Sequence, residues 1–150
     1  MGYYDFKKDL EKSEEGIKDL LDILEKKGFK CSLNDTNHHD IQIEFPDGHK
    51  RTIELKEDFA SEVHNNIAIE FECRKKPSGI VVTKADFWVS RSFTQKNYRK
   101  FFMISVSKLR KAIAEEKYVC TTLGSGDKGS NTKLYLFKEP AFVVMCVELK

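Results

Sequence analysis

The sequence is poor in residues that interrupt regular structure, and it has no long apolar run. Only 3 of its 150 residues are proline and 8 are glycine, whereas 40% are apolar and 33% are charged. This balance is typical of a compact folded protein and excludes collagen-like and low-complexity chains. No stretch approaches the roughly 18 consecutive apolar residues of a membrane-spanning helix, and the first residues lack the apolar core of a signal peptide. We therefore expect one domain over residues 1–150, in the cytoplasm and without a membrane partner.

The cysteines do not form a pattern that binds zinc or carries redox chemistry. They are far apart in the chain, and no C-x-x-C pair is present. Disulfide frameworks are typical of smaller secreted chains, so we expect reduced thiols at Cys31, Cys73, Cys120 and Cys146.

Charge is distributed unevenly along the chain, although the net value is only +2. Residues 74–117 contain twelve lysines and arginines against three acidic residues, a balance of +9 that leaves −7 for the remainder. A basic segment of this kind favours contact with an anion such as DNA, while a solvated charged face gives the same composition. The candidate DNA contacts are Lys96, Arg99, Lys100, Lys108, Lys111 and, in the glycine-rich loop 124–132, Lys128.

Periodicity predicts a first helix followed mainly by strands. Apolar residues recur at helical spacing as far as Leu24, and lysines and Gly28 follow, so a helix is predicted over 5–27. Two more helices are predicted, a short one capped by Thr83 and another at 107–117. Alternating apolar residues predict strands at 29–33, 41–45, 53–55, 67–73, 101–105, 118–123, 133–137 and 142–149. The expected fold class is α/β (α+β), a mixed β-sheet flanked by helices.

The hairpin with the turn sequence Pro-Asp-Gly carries the most informative pattern. A three-residue turn gives opposing residues whose numbers sum to 94, which pairs Asp40 with Glu54. The same register pairs Ile41 with Ile53 on the other face. Lys56 lies two residues beyond Glu54 and therefore projects from the same face as Glu54. A two-residue turn would shift the sum to 95 and separate the two carboxylates.

Two opposed carboxylates repel each other unless a cation lies between them. Hard oxygen ligands suit Mg²⁺ or Mn²⁺, so the hairpin predicts a metal site at Asp40 and Glu54. A lysine beside such a site can orient or help to deprotonate a water nucleophile, which is the role expected of Lys56. Glu14 lies at the edge of the apolar stripe of the first helix and is either a further site residue or a carboxylate at the core edge.

This arrangement resembles the PD-(D/E)XK nuclease superfamily. The core of that family is a helix, then strands bearing Asp, then Glu-x-Lys, then a further strand and helix. The resemblance assigns Asp40, Glu54 and Lys56 to the three motif positions. Residues 66–88 and the loop 124–132 with the strand after it are also similar to small phage-type and Holliday-junction-resolvase-like members.

The resemblance implies a restriction-endonuclease-like fold and a set of site residues. Asp40 and Glu54 would bind the metal together with the carbonyl of Leu55. Glu14 looks like the helix-one glutamate that many members add to the site. Glu70, on the next strand, would be an additional acidic residue near the metal.

The pattern acid-x-Lys occurs five times in this charged chain, and its context selects Glu54. Only that copy lies on a predicted strand directly after a strand that carries an Asp. The sequence therefore predicts a metal-dependent DNA endonuclease, with DNA and, as one arrangement, a second copy of the chain as partners. The alternatives are a non-cleaving nucleic-acid-binding module on the same fold and a protein-interaction domain.

Overall fold

The computed structural model describes residues 6–33, 40–57, 65–124 and 131–150, without the side chains of residues 6–13 and of Asp40. The helices in these ranges are α1 (Phe6–Lys26), α2 (Val106–Ala114) and α3 (Glu139–Val143). The strands are β1 (Lys30–Leu33), β2 (Asp40–Glu44), β3 (Lys50–Glu57), β4 (Asn66–Cys73), β5 (Lys76–Pro77), β6 (Phe87–Arg91), β7 (Phe101–Ser105), β8 (Cys120–Leu123), β9 (Lys133–Lys138) and β10 (Val147–Leu149). No helix within these ranges is long and apolar enough to cross a membrane.

The strands form two sheets. The larger sheet has the order β1-β2-β3-β6-β7-β10, and the smaller has the order β5-β4-β9-β8. β3 and β6 are parallel, whereas the other neighbours in both sheets are antiparallel. The expected mixed sheet with helices beside it is therefore confirmed, but the second sheet was not predicted.

Helix α1 covers one face of the larger sheet. Its inward residues Leu20 and Leu24 are fully buried against the apolar residues of β2 and β3, which include Ile53 and Leu55. Gly28 ends the helix with a φ of 95°, and Phe29 N–H donates to the Leu24 carbonyl, as in a Schellman cap. The predicted helix and its glycine terminus are therefore confirmed.

The opposite face of the larger sheet packs against the smaller sheet. Trp88 of β6 and Phe102 of β7 lie in one buried cluster with Ile67 and Ile69 of β4 and with Phe137 of β9. Helices α2 and α3 close this cluster with their own buried side chains. The second sheet therefore shares a core with the first at β6 and β7.

Two predicted elements are wrong. The helix expected after Thr83 is absent: a 3-10 turn at residues 79–81 precedes Thr83, and the next element is Phe87–Arg91, a central strand of the larger sheet. Strand β6 is buried on both faces, so its apolar run shows no alternation that would identify it as a strand. The strand expected at 142–149 begins instead within α3, which has a proline in its first turn, and only Val147–Leu149 is extended.

All four cysteines are free, as expected. Cys120 is exposed on β8, and the other three are half-buried. Burial raises the pKa of the Cys146 thiol to about 12, so this group stays protonated at neutral pH.

Candidate metal centre

The hairpin between β2 and β3 has the predicted register. Asp40 lies opposite Glu54, and Ile41 lies opposite Ile53. The turn has three residues, because the Phe45 N–H donates to the carbonyl of His49 at 2.8 Å. This close pairing at the turn fixes the register, and the alternative sum of 95 is wrong.

The side chain of Asp47 stabilises this turn. Its carboxylate accepts hydrogen bonds from the backbone N–H and from the ring Nδ1 of His49, both at 3.0 Å. These bonds hold the pKa of Asp47 below its ordinary value. The carboxylate is therefore ionised near pH 7, and in this state it can accept both hydrogen bonds that stabilise the turn.

Glu54 and Lys56 project from the same face of β3, as predicted. Lys56 Nζ lies 3.3 Å from Glu54 Oε1, and the Thr83 hydroxyl donates to Glu54 Oε2 at 3.2 Å. The Glu54 side chain is 19% exposed and that of Lys56 is 42% exposed. Lys56 Nζ also lies 5.9 Å from the ring centroid of Trp88. The pair is thus a half-buried carboxylate beside a more accessible ammonium group.

This pair lies on the sheet face opposite to α1. Ile53 and Leu55, which alternate with Glu54 and Lys56, pack against α1 instead. On this same face, the smaller sheet packs its apolar residues against β6 and β7. The neighbouring part of this face, on β2 and β3, is therefore lined by polar residues and remains partly exposed.

Of the other predicted site residues, two glutamates lie away from Glu54. Asp40 is placed by the register, but its side chain lies outside the described residues. Glu14 is exposed on α1, on the helix side of the sheet, and has no described contact with Glu54. Glu70 alternates with core-facing residues of β4 and therefore lies on the other face of the smaller sheet. Leu55 buries its side chain in the α1 core, and its carbonyl lies on the strand between the two site residues.

Among the side chains that the structure describes, no group of three or more His, Cys, Asp or Glu residues is placed to hold a metal ion. The Asp40 carboxylate is not among those side chains. The candidate metal ligand whose side chain the structure describes is Glu54. The sequence predicted that Lys56 lies on the same face as Glu54, but it did not predict the contact with Thr83. Thr83 is 29 residues away in sequence and carries no local signal for this contact. Only the three-dimensional structure identifies it.

The candidate DNA contacts of the basic segment lie at the two ends of β7. Lys96, Arg99 and Lys100 lie in the loop before β7, whereas Lys108 and Lys111 lie on α2 directly after β7. A five-residue strand separates the two groups by roughly 17 Å. Lys128 falls outside the described residues.

Several of these cations have partners within the chain. Arg99 Nη1 lies 2.8 Å from Glu15, Lys100 lies 4.0 Å from Glu148, and Lys111 lies 4.0 Å from Glu115, while the Lys108 ammonium donates to the carbonyl of Met145 at 3.0 Å. Exposed ion pairs of this kind contribute little to stability, so they do not prevent the cations from contacting phosphate.

The chain was compared with protein-family models, with curated proteins and with solved structures, and none of them matches it.

Proposed function

We propose that this protein is a metal-dependent DNA endonuclease with a restriction-endonuclease-like fold. The observation that carries the proposal is the register of β2 and β3, which sets Asp40 opposite Glu54 while Lys56 lies 3.3 Å from the Glu54 carboxylate. An acid pair with an adjoining lysine on one sheet face is the arrangement that the Asp and Glu-x-Lys motif requires.

The order of elements around the hairpin supports this proposal. Helix α1 is followed by the antiparallel meander β1 to β3, and β6 lies parallel to β3 on its other side. The strand that follows β3 in sequence, β4, belongs instead to the smaller sheet. Helix α1, the meander and β6 therefore correspond to the core elements of the expected fold. The smaller sheet is an additional element that packs on one face of the larger sheet.

The residues present fit a hard divalent cation. An ionised carboxylate has about four acceptor positions. Lys56 and Thr83 occupy one position on each oxygen of Glu54, so two remain for a metal. Opposed residues of an antiparallel pair share a face, and we expect the Asp40 carboxylate on the same side. Bound Mg²⁺ or Mn²⁺ would supply charge stabilisation at the phosphate and a more acidic water.

The roles of the protein groups follow from their positions. Asp40 and Glu54 would hold the cation, and the carbonyl of Leu55 is a third candidate ligand. Lys56 is exposed enough to reach a substrate and remains within 3.3 Å of Glu54. Its ammonium would orient the attacking water and offset the negative charge of the phosphate.

Cleavage assays on three DNA forms test the proposed activity. Plasmid, single-stranded and branched DNA are each incubated with the protein in EDTA, Mg²⁺ or Mn²⁺. We expect strand breaks in at least one metal buffer and none in EDTA, because the carboxylates need the cation to act on a phosphodiester. DNA binding without cleavage would indicate the non-cleaving module. Binding of neither metal nor DNA would indicate a protein-interaction domain.

The basic residues of α2 are expected to contact DNA through phosphates. Lys108 and Lys111 lie three residues apart on the helix, so they project within about 60° of each other. Replacing both with glutamine should weaken DNA binding. The negative slope of log affinity against log salt concentration should become shallower by about 0.9 for each lost contact. The measurement is fluorescence anisotropy with duplex DNA in Ca²⁺, which is chosen to suppress cleavage.

The matched control replaces Lys26 and Lys27, which carry the same charge at the end of α1, outside the basic segment. A third double variant, at Lys96 and Lys100, tests the group at the other end of β7. Equal losses in the α2 and control variants would show that the charge asymmetry is only a solvated surface.

A further inference from the structure

The segment between β5 and β6 places a hydroxyl group against the candidate metal ligand. Thr83 Oγ1 lies 3.2 Å from Glu54 Oε2 and also accepts a hydrogen bond from the N–H of Ala85 at 3.2 Å. Because Ala85 provides a proton to the hydroxyl oxygen, the hydroxyl proton itself is free to point at Glu54. The Thr83 hydroxyl is therefore the donor of this hydrogen bond and the Glu54 carboxylate is its acceptor.

Arg110 of α2 anchors the same segment. Its Nε donates to the carbonyl of Ile80 at 3.0 Å, and its Nη2 donates to the carbonyl of Thr83 at 2.8 Å. Two bonds from one planar guanidinium fix both the position and the orientation of the backbone that carries the hydroxyl. Ile80 adds a buried side chain, 2% exposed, in the core between the sheets. The hydroxyl is thus held by rigid elements on both sides.

Glu54 consequently has a donor on each carboxylate oxygen. Lys56 contacts Oε1 and Thr83 contacts Oε2, which restrains rotation of the carboxylate about its last bond. A ligand that is already oriented loses less entropy when it binds a cation. Groups of this kind around a metal ligand commonly change metal affinity by about 10- to 100-fold.

We propose that Thr83, anchored by Arg110, is a positioning residue that orients the Glu54 carboxylate for the metal. This inference rests on the proposed function, because it assumes that Glu54 is a metal ligand. It extends that function to a loop and a helix that the Asp and Glu-x-Lys motif does not include.

The test compares Thr83→Val, which removes the hydroxyl but keeps the shape, with Thr83→Ser, which keeps the hydroxyl. Mn²⁺ affinity is measured by calorimetry without DNA, and the Mn²⁺ concentration for half-maximal cleavage is measured in parallel. Thr83→Val should weaken Mn²⁺ binding by about 10-fold or more, whereas Thr83→Ser should remain within about 3-fold of wild type. Arg110→Met should act in the same direction. Thr122→Val, on an exposed position of β8, is the matched control.

Thermal unfolding without metal separates positioning from loss of the fold, and Thr83→Ala replaces the valine variant if that variant is unstable. Unchanged Mn²⁺ affinity in a folded variant without the hydroxyl would overturn the inference, provided that Glu54→Gln abolishes Mn²⁺ binding. If the wild-type protein binds no Mn²⁺, or if Glu54→Gln binds it normally, the proposed function fails first and the inference fails with it.

Discussion

Glu54→Gln should abolish metal-dependent DNA cleavage, with a loss of at least about 100-fold, while the protein remains folded. The amide keeps the size of the side chain and can still accept a hydrogen bond from Thr83, but it has no charge to offer a cation. Changes to groups that merely surround a metal ligand lower metal affinity by about 10- to 100-fold, so removal of a ligand charge should cost more. Cleavage in Mg²⁺ and in Mn²⁺ is the measurement.

Two neighbouring variants should have the same phenotype for different reasons. Asp40→Asn removes the charge opposite Glu54 and should also weaken metal binding. Lys56→Ala should reduce the rate by about 10²- to 10³-fold, the usual cost of removing one donor that stabilises charge in the transition state, with metal binding largely retained. The Lys56 side chain is 42% exposed, so its ion pair contributes less than about 1 kcal/mol to stability. Calorimetry with Mn²⁺ distinguishes the two cases.

Glu72→Gln is the matched control for these variants. Glu72 is also a strand glutamate paired with a lysine, since its carboxylate lies 3.0 Å from Lys133 Nζ, but it belongs to the smaller sheet. It should leave cleavage unchanged. Without metal, Glu54→Gln should also unfold at the wild-type temperature or slightly above it, because one of two opposed charges is gone. Near wild-type cleavage by Glu54→Gln would remove the basis for a nuclease.

The sequence was sufficient to predict the hairpin because its determinants are local. The turn Pro-Asp-Gly and the alternation of apolar residues lie within one stretch, and of the sums 94 and 95 only 94 places Ile41 and Ile53 on the same face. The positions of Glu54 and Lys56 on a common face follow directly. The same reasoning applies to α1, where Leu20 and Leu24 repeat at one helical turn.

Features that depend on contacts distant in sequence were not predictable. Strand β6 is recognised as a strand only by its neighbours β3 and β7, because burial on both faces removes its alternation. The contact of Thr83 with Glu54 and the bonds of Arg110 depend on how the second sheet packs. The net charge of residues 74–117 can be counted from the sequence. The sequence does not show that β7 lies between two groups of the candidate DNA contacts.

Arg91 of β6 is a buried cation that contacts Glu57 at the end of β3 and Asp19 of α1. Arg91 is only 1% exposed, and its Nη1 lies 3.0 Å from Glu57 Oε1, while its Nη2 lies 3.5 Å from Asp19 on α1. Its guanidinium also lies 5.1 Å from the ring of Phe93, a contact that apolar surroundings strengthen. Removal of this cation should therefore lower the stability of the folded protein.

Arg91→Met should lower the free energy of unfolding by about 3 to 5 kcal/mol, because it removes one partner of a buried ion pair. Urea unfolding monitored by circular dichroism is the measurement. Arg99→Met is the matched control, since Arg99 pairs with Glu15 at 2.8 Å but is 46% exposed, and it should destabilise the protein much less than Arg91→Met. The double variant Arg91→Met with Glu57→Leu should recover part of the loss, because a buried pair can be replaced by apolar groups of similar size. Equal destabilisation by Arg91→Met and Arg99→Met would show that burial does not strengthen the Arg91 pair.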